Sequence, residues 1–408
     1  MRVVVTALGT FGDVAPLLRI ARALEAQGDS ALVLVNPFFE DHARGLGLSV
    51  RPVGKSWDPE AIATDPRFQD PSQVWREVFA PRIRDDFAAT LSALDEAPTA
   101  GVVNHFWCHG GALAAEARGL PWATVALAPL TWLSSDEPSQ LPGRRMPRWL
   151  LGPVIRWLVR PRTRRQYEPA AQQAARELGL RAVRDRFWGM QTRATLNVGL
   201  WSALWRGPAR DDPPSARIVG FPGSSPAARI EPELDAFLAA GDPPVVMGLG
   251  SVLPKISAAL YRGVAEACAE LGRRAVLVGA PAEVAAGLGP DVRATASAPY
   301  AAVFPRASVV VHHGGVGSTA EALRAGKPAL VLPFGNDQND NAWRVERLGA
   351  AITLDRRLAD GSRLRGALLR CLTSERLTGA AASVARRIGS EEHGEAVAAR
   401  EIRRALGS

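Results

Sequence analysis

Residues 309–326 narrow the possible folds of this chain more than any other stretch. Val309-Val310-Val311 runs into His312-His313 and then into Gly314-Gly315-Val316-Gly317-Ser318-Thr319. Three β-branched residues in a row read as the end of a buried parallel strand. The glycines read as a turn, and an amphipathic helix follows that stops at Gly326-Lys327-Pro328. A strand that feeds a glycine turn into a helix aims unpaired backbone N–H groups and the positive end of the helix dipole at one point. That point suits an anion, and a phosphate above all. His313 stands at the mouth and adds a side-chain donor. A second reading needs no ligand: glycines also permit close strand–helix packing, and Ser318-x-x-Glu321 is a capping-box pattern.

The same alternation of strand and helix runs along the chain. Apolar runs predict strands over 2–8, 31–35, 48–53, 101–104 and 122–127, with helices over 13–27 and 38–46 and helical insertion material over 55–95. Past a glycine- and proline-bearing joint at 217–226, strands over 245–248, 274–278, 309–311 and 330–333 alternate with helices over 256–271 and 300–305. The expected class is α/β, with two Rossmann-like doubly wound domains facing across a cleft. At 408 residues two domains are the natural division. We place them at 1–220 and 221–385, with 386–408 ending in a helix that packs back on the N-terminal domain. Ligands of such sheets bind beyond the carboxyl ends of the strands, where Asp13 lies.

Several classes fall away. The first turn, Gly9-Thr10-Phe11-Gly12, lacks the GxGxxG pattern, and the second strand ends in Asn36 rather than an acid, against a dinucleotide oxidoreductase. A net charge of +8, carried almost wholly by arginine without an RNA-binding pattern, suits anionic small molecules or anionic lipid rather than nucleic acid. Cys108, Cys268 and Cys371 make no CxxC and fit a reducing cytoplasm. The first strand leaves no room for a signal peptide, and no apolar run reaches the ~18 residues of a spanning helix. His105 and His109 stand four apart without a third ligand, so no metal is expected; they line a pocket or satisfy a buried polar site. In 144–165, Arg144, Arg145, Arg148, Arg156, Arg160, Arg162, Arg164 and Arg165 have no acidic counterpart and alternate with Trp149, Trp157 and aliphatic residues. Two readings stand there: an interfacial helix, or a solvated arginine face over a domain cleft.

With these residues in view, the chain resembles the GT-B nucleotide-sugar glycosyltransferases of the UDP-glycosyltransferase-like group, which includes bacterial antibiotic, sterol and rhamnolipid-type enzymes. The likeness rests on His312-His313-Gly314-Gly315-Val316-Gly317-Ser318-Thr319 followed by Pro333 and Asp337-Gln338. Gly9-Thr10-Phe11-Gly12-Asp13-Val14-Ala15-Pro16 is similar to the family's GxxGDxxP turn. The resemblance implies that His313 and the N–H groups around Gly315, Gly317 and Ser318 hold the diphosphate of a UDP- or TDP-sugar, with Thr319 assisting. It gives Glu321 the ribose hydroxyls, in competition with its capping role, and Asp337 and Gln338 the sugar hydroxyls. Ser251 would lie beside the phosphates, and Ala298 would offer its backbone to the base. Position 297 is serine where many relatives carry an aromatic, which leaves the base open, with Tyr300 the nearest substitute. Asp13 falls where bacterial members carry their base; its alternative role is a helix N-cap. Phe11, His105, Trp107 and His109 would line the acceptor site.

The expected reaction is an inverting transfer of a hexose or deoxyhexose to a hydroxyl of a hydrophobic small molecule or lipid. No cofactor is expected beyond the sugar-nucleotide cosubstrate, and no Asp-x-Asp occurs to carry a divalent cation. The expected setting is cytoplasmic, as a monomer or weak dimer, with peripheral contact at the inner face of the membrane through 144–165. A sugar-nucleotide epimerase and a non-catalytic sugar-nucleotide-binding partner are the alternatives.

Overall fold

Runs rich in valine, apolar on both faces, form the strands of two all-parallel sheets in the computed structural model, which describes residues 1–58, 61, 65, 71–141, 146–224, 229–250 and 257–407. The first sheet holds β1 (Arg2–Thr6), β2 (Ser30–Val35), β3 (Ser49–Pro52), β4 (Gly101–His105), β5 (Trp122–Ala126), β6 (Leu196–Gly199) and β7 (Ala216–Ile218). Their order is β3-β2-β1-β4-β5-β6-β7. The second holds β8 (Val245–Gly248), β9 (Ala275–Val278), β10 (Val292–Thr295), β11 (Val309–His312), β12 (Ala329–Val331) and β13 (Ala351–Thr353), in the order β10-β9-β8-β11-β12-β13.

The strand order reverses between β1 and β4 in one sheet and between β8 and β11 in the other. The pairs are in register as Thr6 beside Asn104 and His312 beside Gly248. At such a reversal the connecting helices leave on opposite faces, which opens a crevice at the carboxyl ends of the strands. The loops that matter for function are therefore those after β1, β4, β8 and β11.

The chain divides into two compact units. One comprises Met1–Ser139, Met146–Pro222 and Glu392–Ser408; the other comprises Gln140–Arg145 and Gly223–Glu391. In the first, the terminal helix Gly394–Leu406 buries Ala398, Ala399, Ile402 and Leu406 in the same core as Val3, Val5, Leu17 and Leu24. Gln140 joins the second through its N–H, which donates to Oδ1 of Asp340 at 2.8 Å.

Four strands escape the sequence reading: β6, β7, β10 and β13. Each is short and carries a polar or charged residue, so no continuous apolar run announces it, and β7 lies where a joint is expected. Pairing of Asn197 with Ala216 and Val198 with Arg217 makes it a strand. The first helix begins at Phe11 rather than Asp13, because Thr10 is its N-cap. The arginines of 144–165 also differ from expectation: the fold brings Glu137 to Arg148, Asp211 to Arg160 at 2.8 Å and Asp185 to Arg164 at 3.8 Å. Arg144 and Arg145 lie outside the described residues.

Candidate active site

In the second unit, β11 ends at His312 and Gly314 turns the chain with φ +89°, leaving Gly315 as N-cap of the helix Val316–Ala325. Val316, Gly317 and Ser318 are the first three helical residues, and their N–H groups have no acceptor within the helix. Ser318 therefore caps nothing, and the capping box with Glu321 does not form. The Glu321 carboxylate instead accepts from the Ser224 hydroxyl at 2.9 Å and pairs with Arg324 at 3.2 Å.

The two histidines part company. Nδ1 of His312 accepts the Gly314 N–H at 3.1 Å, which braces the turn from inside. The His313 ring lies against the turns after both β8 and β11. A Cβ at Gly315 would fall 2.4 Å from its Nε2, and one at Gly250 3.0 Å from its Cε1. Only glycine leaves the ring this seat at 315. Burial pushes the His313 pKa down to about 4, so the ring is neutral near pH 7. Its buried Nδ1 has no hydrogen-bond partner among the described residues. At Gly317 a Cβ would meet no atom of the described residues within 4 Å. Neither packing nor backbone strain asks for glycine there, although in a helix it costs up to ~1 kcal/mol relative to alanine. Among the described residues, the space beside Gly317 at the helix N-terminus is open.

The Asp337-Gln338 segment folds onto the same turn. Oε1 of Gln338 accepts the Phe334 N–H at 2.8 Å, and its backbone carbonyl would stand 3.0 Å from a Cβ at Gly314. Nδ2 of Asn341 donates to the Gly314 carbonyl and to Oδ2 of Asp337, both at 2.8 Å. Asn341 thus ties the two parts of the motif together. Sequence reading passed over it, although its position one helical turn after Asp337 was a signal. Thr319 is wholly enclosed and its N–H donates to the Gly315 carbonyl, so it does not reach the open space. Tyr300 is also spent inside the fold: its hydroxyl accepts the Gly250 N–H at 3.1 Å and its ring stacks on Phe304 at 4.4 Å. Ala298 follows β10, half-buried, with its side chain against the cluster around Val303. Ser251 lies outside the described residues.

In the first unit, Asp13 is the third residue of the helix Phe11–Ala26. Its Oδ2 accepts from the Thr10 N–H at 2.8 Å and the Thr10 hydroxyl at 3.0 Å. Gly9, at φ +128°, passes so close that a Cβ there would lie 2.4 Å from that oxygen. The other oxygen, Oδ1, faces Nε2 of His105, the last residue of β4, at 3.9 Å. Nδ1 of His105 is 2.7 Å from the Leu8 carbonyl. A carbonyl only accepts, so the neutral ring carries its proton on Nδ1 and turns a bare Nε2 lone pair toward Asp13. Burial lowers the His105 pKa, against the opposing pull of the Asp13 charge.

Phe11 is exposed two residues from Asp13, with its ring 5.0 Å from that of His42. Trp107 is half-buried beside Phe79. His109 is not a pocket residue: it is buried, stacked on Phe187 at 4.8 Å and edge-on to Trp75 at 4.9 Å, and burial pushes its pKa down to about 3.

Comparison with known proteins bears on this arrangement. A family model described as the erythromycin biosynthesis protein CIII-like C-terminal domain matches residues 269–403. An uncharacterized glycosyltransferase of Mycobacterium tuberculosis is 30% identical over 364 residues, which span 85% of this chain and 85% of the relative. Glycosyltransferase GtfE of Amycolatopsis orientalis is 29% identical across 92% of this chain and 91% of its own. The solved structure of glycosyltransferase VinC in complex with DTDP matches with a TM-score of 0.73 at 21% identity, over 100% of each chain. At that identity the likeness shows the fold, which is GT-B.

Proposed function

We propose a reaction for this chain from one fact: it belongs to the antibiotic-type glycosyltransferases of the UDP-glycosyltransferase-like family, which move a sugar to a natural-product acceptor. The finer reading is an inverting transfer of a hexose or deoxyhexose, from a UDP- or TDP-sugar, to a hydroxyl of a hydrophobic small molecule or lipid. The observation that carries it is the N-terminus of the helix Val316–Ala325, with the His313 ring packed against its N-cap Gly315 and the ring's Nδ1 without a partner among the described residues. Free N–H groups, a helix dipole and a neutral imidazole together suit a diphosphate. VinC, of the same fold, is one of the structures solved in complex with DTDP.

On this reading the N–H groups of Val316, Gly317 and Ser318, with His313, stabilise charge as it develops on the departing diphosphate, in place of a divalent cation. Asp337 and Gln338 orient the sugar from the loop that Asn341 holds against Gly314. Asp13 is the base. Thr10 holds one of its oxygens, and the other shares a gap with the lone pair of His105. An acceptor hydroxyl about 2.8 Å from Oδ1 would donate its single proton there at ordinary hydrogen-bond length. The hydroxyl then loses its proton to Asp13 as it attacks the anomeric carbon from the face opposite the diphosphate, and the configuration inverts.

The test is incubation with UDP- and TDP-sugars and a panel of hydrophobic alcohols in the presence of EDTA, with the anomeric configuration of the product read by NMR. An inverted glycoside formed in EDTA is expected. Retention, dependence on a metal, or conversion of the sugar nucleotide without acceptor would each overturn the corresponding part of the reading.

A further inference from the structure

Two indoles stand almost free on the surface of the first unit. Trp149 and Trp157 are each 77% exposed, and Leu158 is 61% exposed. They lie on a helical run from Arg148 to Glu177, continuous through a π-helical turn at Ile155–Val159. Its inner side is fixed by Leu151, Gly152, Ile155, Tyr167 and Ala171, all buried. Trp149, Pro153, Trp157, Pro161 and Arg165 follow one another four residues apart and are all exposed, so they form one outward stripe. From 149 to 165 the stripe is roughly 24 Å long, at 1.5 Å per residue.

The charges that this stretch of helix itself carries are of one sign. No acidic residue occurs between 148 and 165. Carboxylates from elsewhere neutralise Arg148, Arg160 and Arg164. Arg162 and Arg165 have no partner among the described residues, and Arg156 reaches only the Ser135 hydroxyl, at 3.0 Å. Three cations without a carboxylate thus flank Trp157, Leu158 and Pro161.

We propose that the exposed Trp149–Trp157–Leu158 ridge, with Arg156, Arg162 and Arg165, docks on the surface of a bilayer that contains anionic phospholipid. Indole rings settle at the headgroup level, where one side of the ring is apolar and the other wet. Guanidinium groups bond phosphate oxygens in pairs and keep their stems in the apolar layer. The ridge has the composition of a helix that lies in the interface plane, with tryptophan and leucine toward the acyl chains and arginine toward the headgroups. Contact is peripheral, since no helix among the described residues is long and apolar enough to cross a membrane. This surface is independent of the transfer chemistry.

Co-sedimentation of the full chain with vesicles tests it, using phosphatidylcholine alone and phosphatidylcholine mixed with phosphatidylglycerol. The expected partition rises on the order of a hundredfold with the anionic lipid, about fivefold for each of three arginines, and falls as salt is added. Trp149→Ala with Trp157→Ala, and separately Arg162→Glu with Arg165→Glu, should each abolish sedimentation while thermal melting stays as in the wild type. The proposal is overturned if the wild type does not sediment with the anionic vesicles, if neutral vesicles bind it equally, or if the tryptophan variant still binds. Self-association in sedimentation velocity, lost in Trp157→Ala and without vesicle binding, would instead make the ridge a contact between copies of the chain.

Discussion

Oδ1 of Asp13 lies 3.9 Å from Nε2 of His105, and the ring cannot swing away because its Nδ1 is anchored to the Leu8 carbonyl at 2.7 Å. Two acceptor atoms facing each other across a gap repel, and an O–H donated to Oδ1 relieves that repulsion. Asp13→Asn keeps an oxygen for the Thr10 N–H but has no basic carboxylate. Transfer should fall by ~10²–10⁴ in steady-state rates, while calorimetric affinity for the nucleoside diphosphate stays the same. An equal loss of affinity would make Asp13 a structural residue only.

His313→Ala tests the other crevice. A hydrogen bond to a charged group contributes about 1.5–3 kcal/mol, so nucleoside diphosphate binding should weaken by roughly ten- to a hundredfold in calorimetry. Unchanged affinity would remove His313 from the donor site.

Gly317→Ala separates packing from function. A methyl group there meets no atom of the described residues within 4 Å, so stability should rise by up to ~1 kcal/mol through helix propensity. Donor affinity should nevertheless drop, because the methyl occupies the space over the N–H groups. A variant with higher stability and full affinity would show that the open space is not used.

The buried histidines predict acid lability. Burial pushes His109 and His312 down to about 3 and His313 to about 4, and lowers His105. Each titrates near ~6.5 when unfolded. Their contribution is therefore full above that pH and is lost as pH falls, because the unfolded chain takes up protons the fold refuses. Each group adds a slope of up to ~1.4 kcal/mol per pH unit. Asp86, which burial raises to about 6, and Glu168, which burial also raises, act in the opposite sense, but they are two groups against four. Urea unfolding at pH 7.5 and pH 5.5 should show a clear loss at the lower pH; equal stability would contradict the assignment.

The valine runs, the glycine corner at 314–317 and the helix stop at Gly326 were legible in the sequence because each depends on neighbours only a few residues away. Strand propensity, a positive φ and a helix cap are local chemistry. What residues at long separation do to one another was not legible. Strand β7 exists because β6 lies beside it, and Glu321 turned to Ser224 and Arg324 rather than to a cap. His105 and His109 look alike in the chain, yet one faces Asp13 and the other is sealed among aromatic rings. Which side chain is enclosed and which carboxylate finds an arginine is decided by packing, since burial and charge pairing are properties of the surroundings that only the folded chain creates.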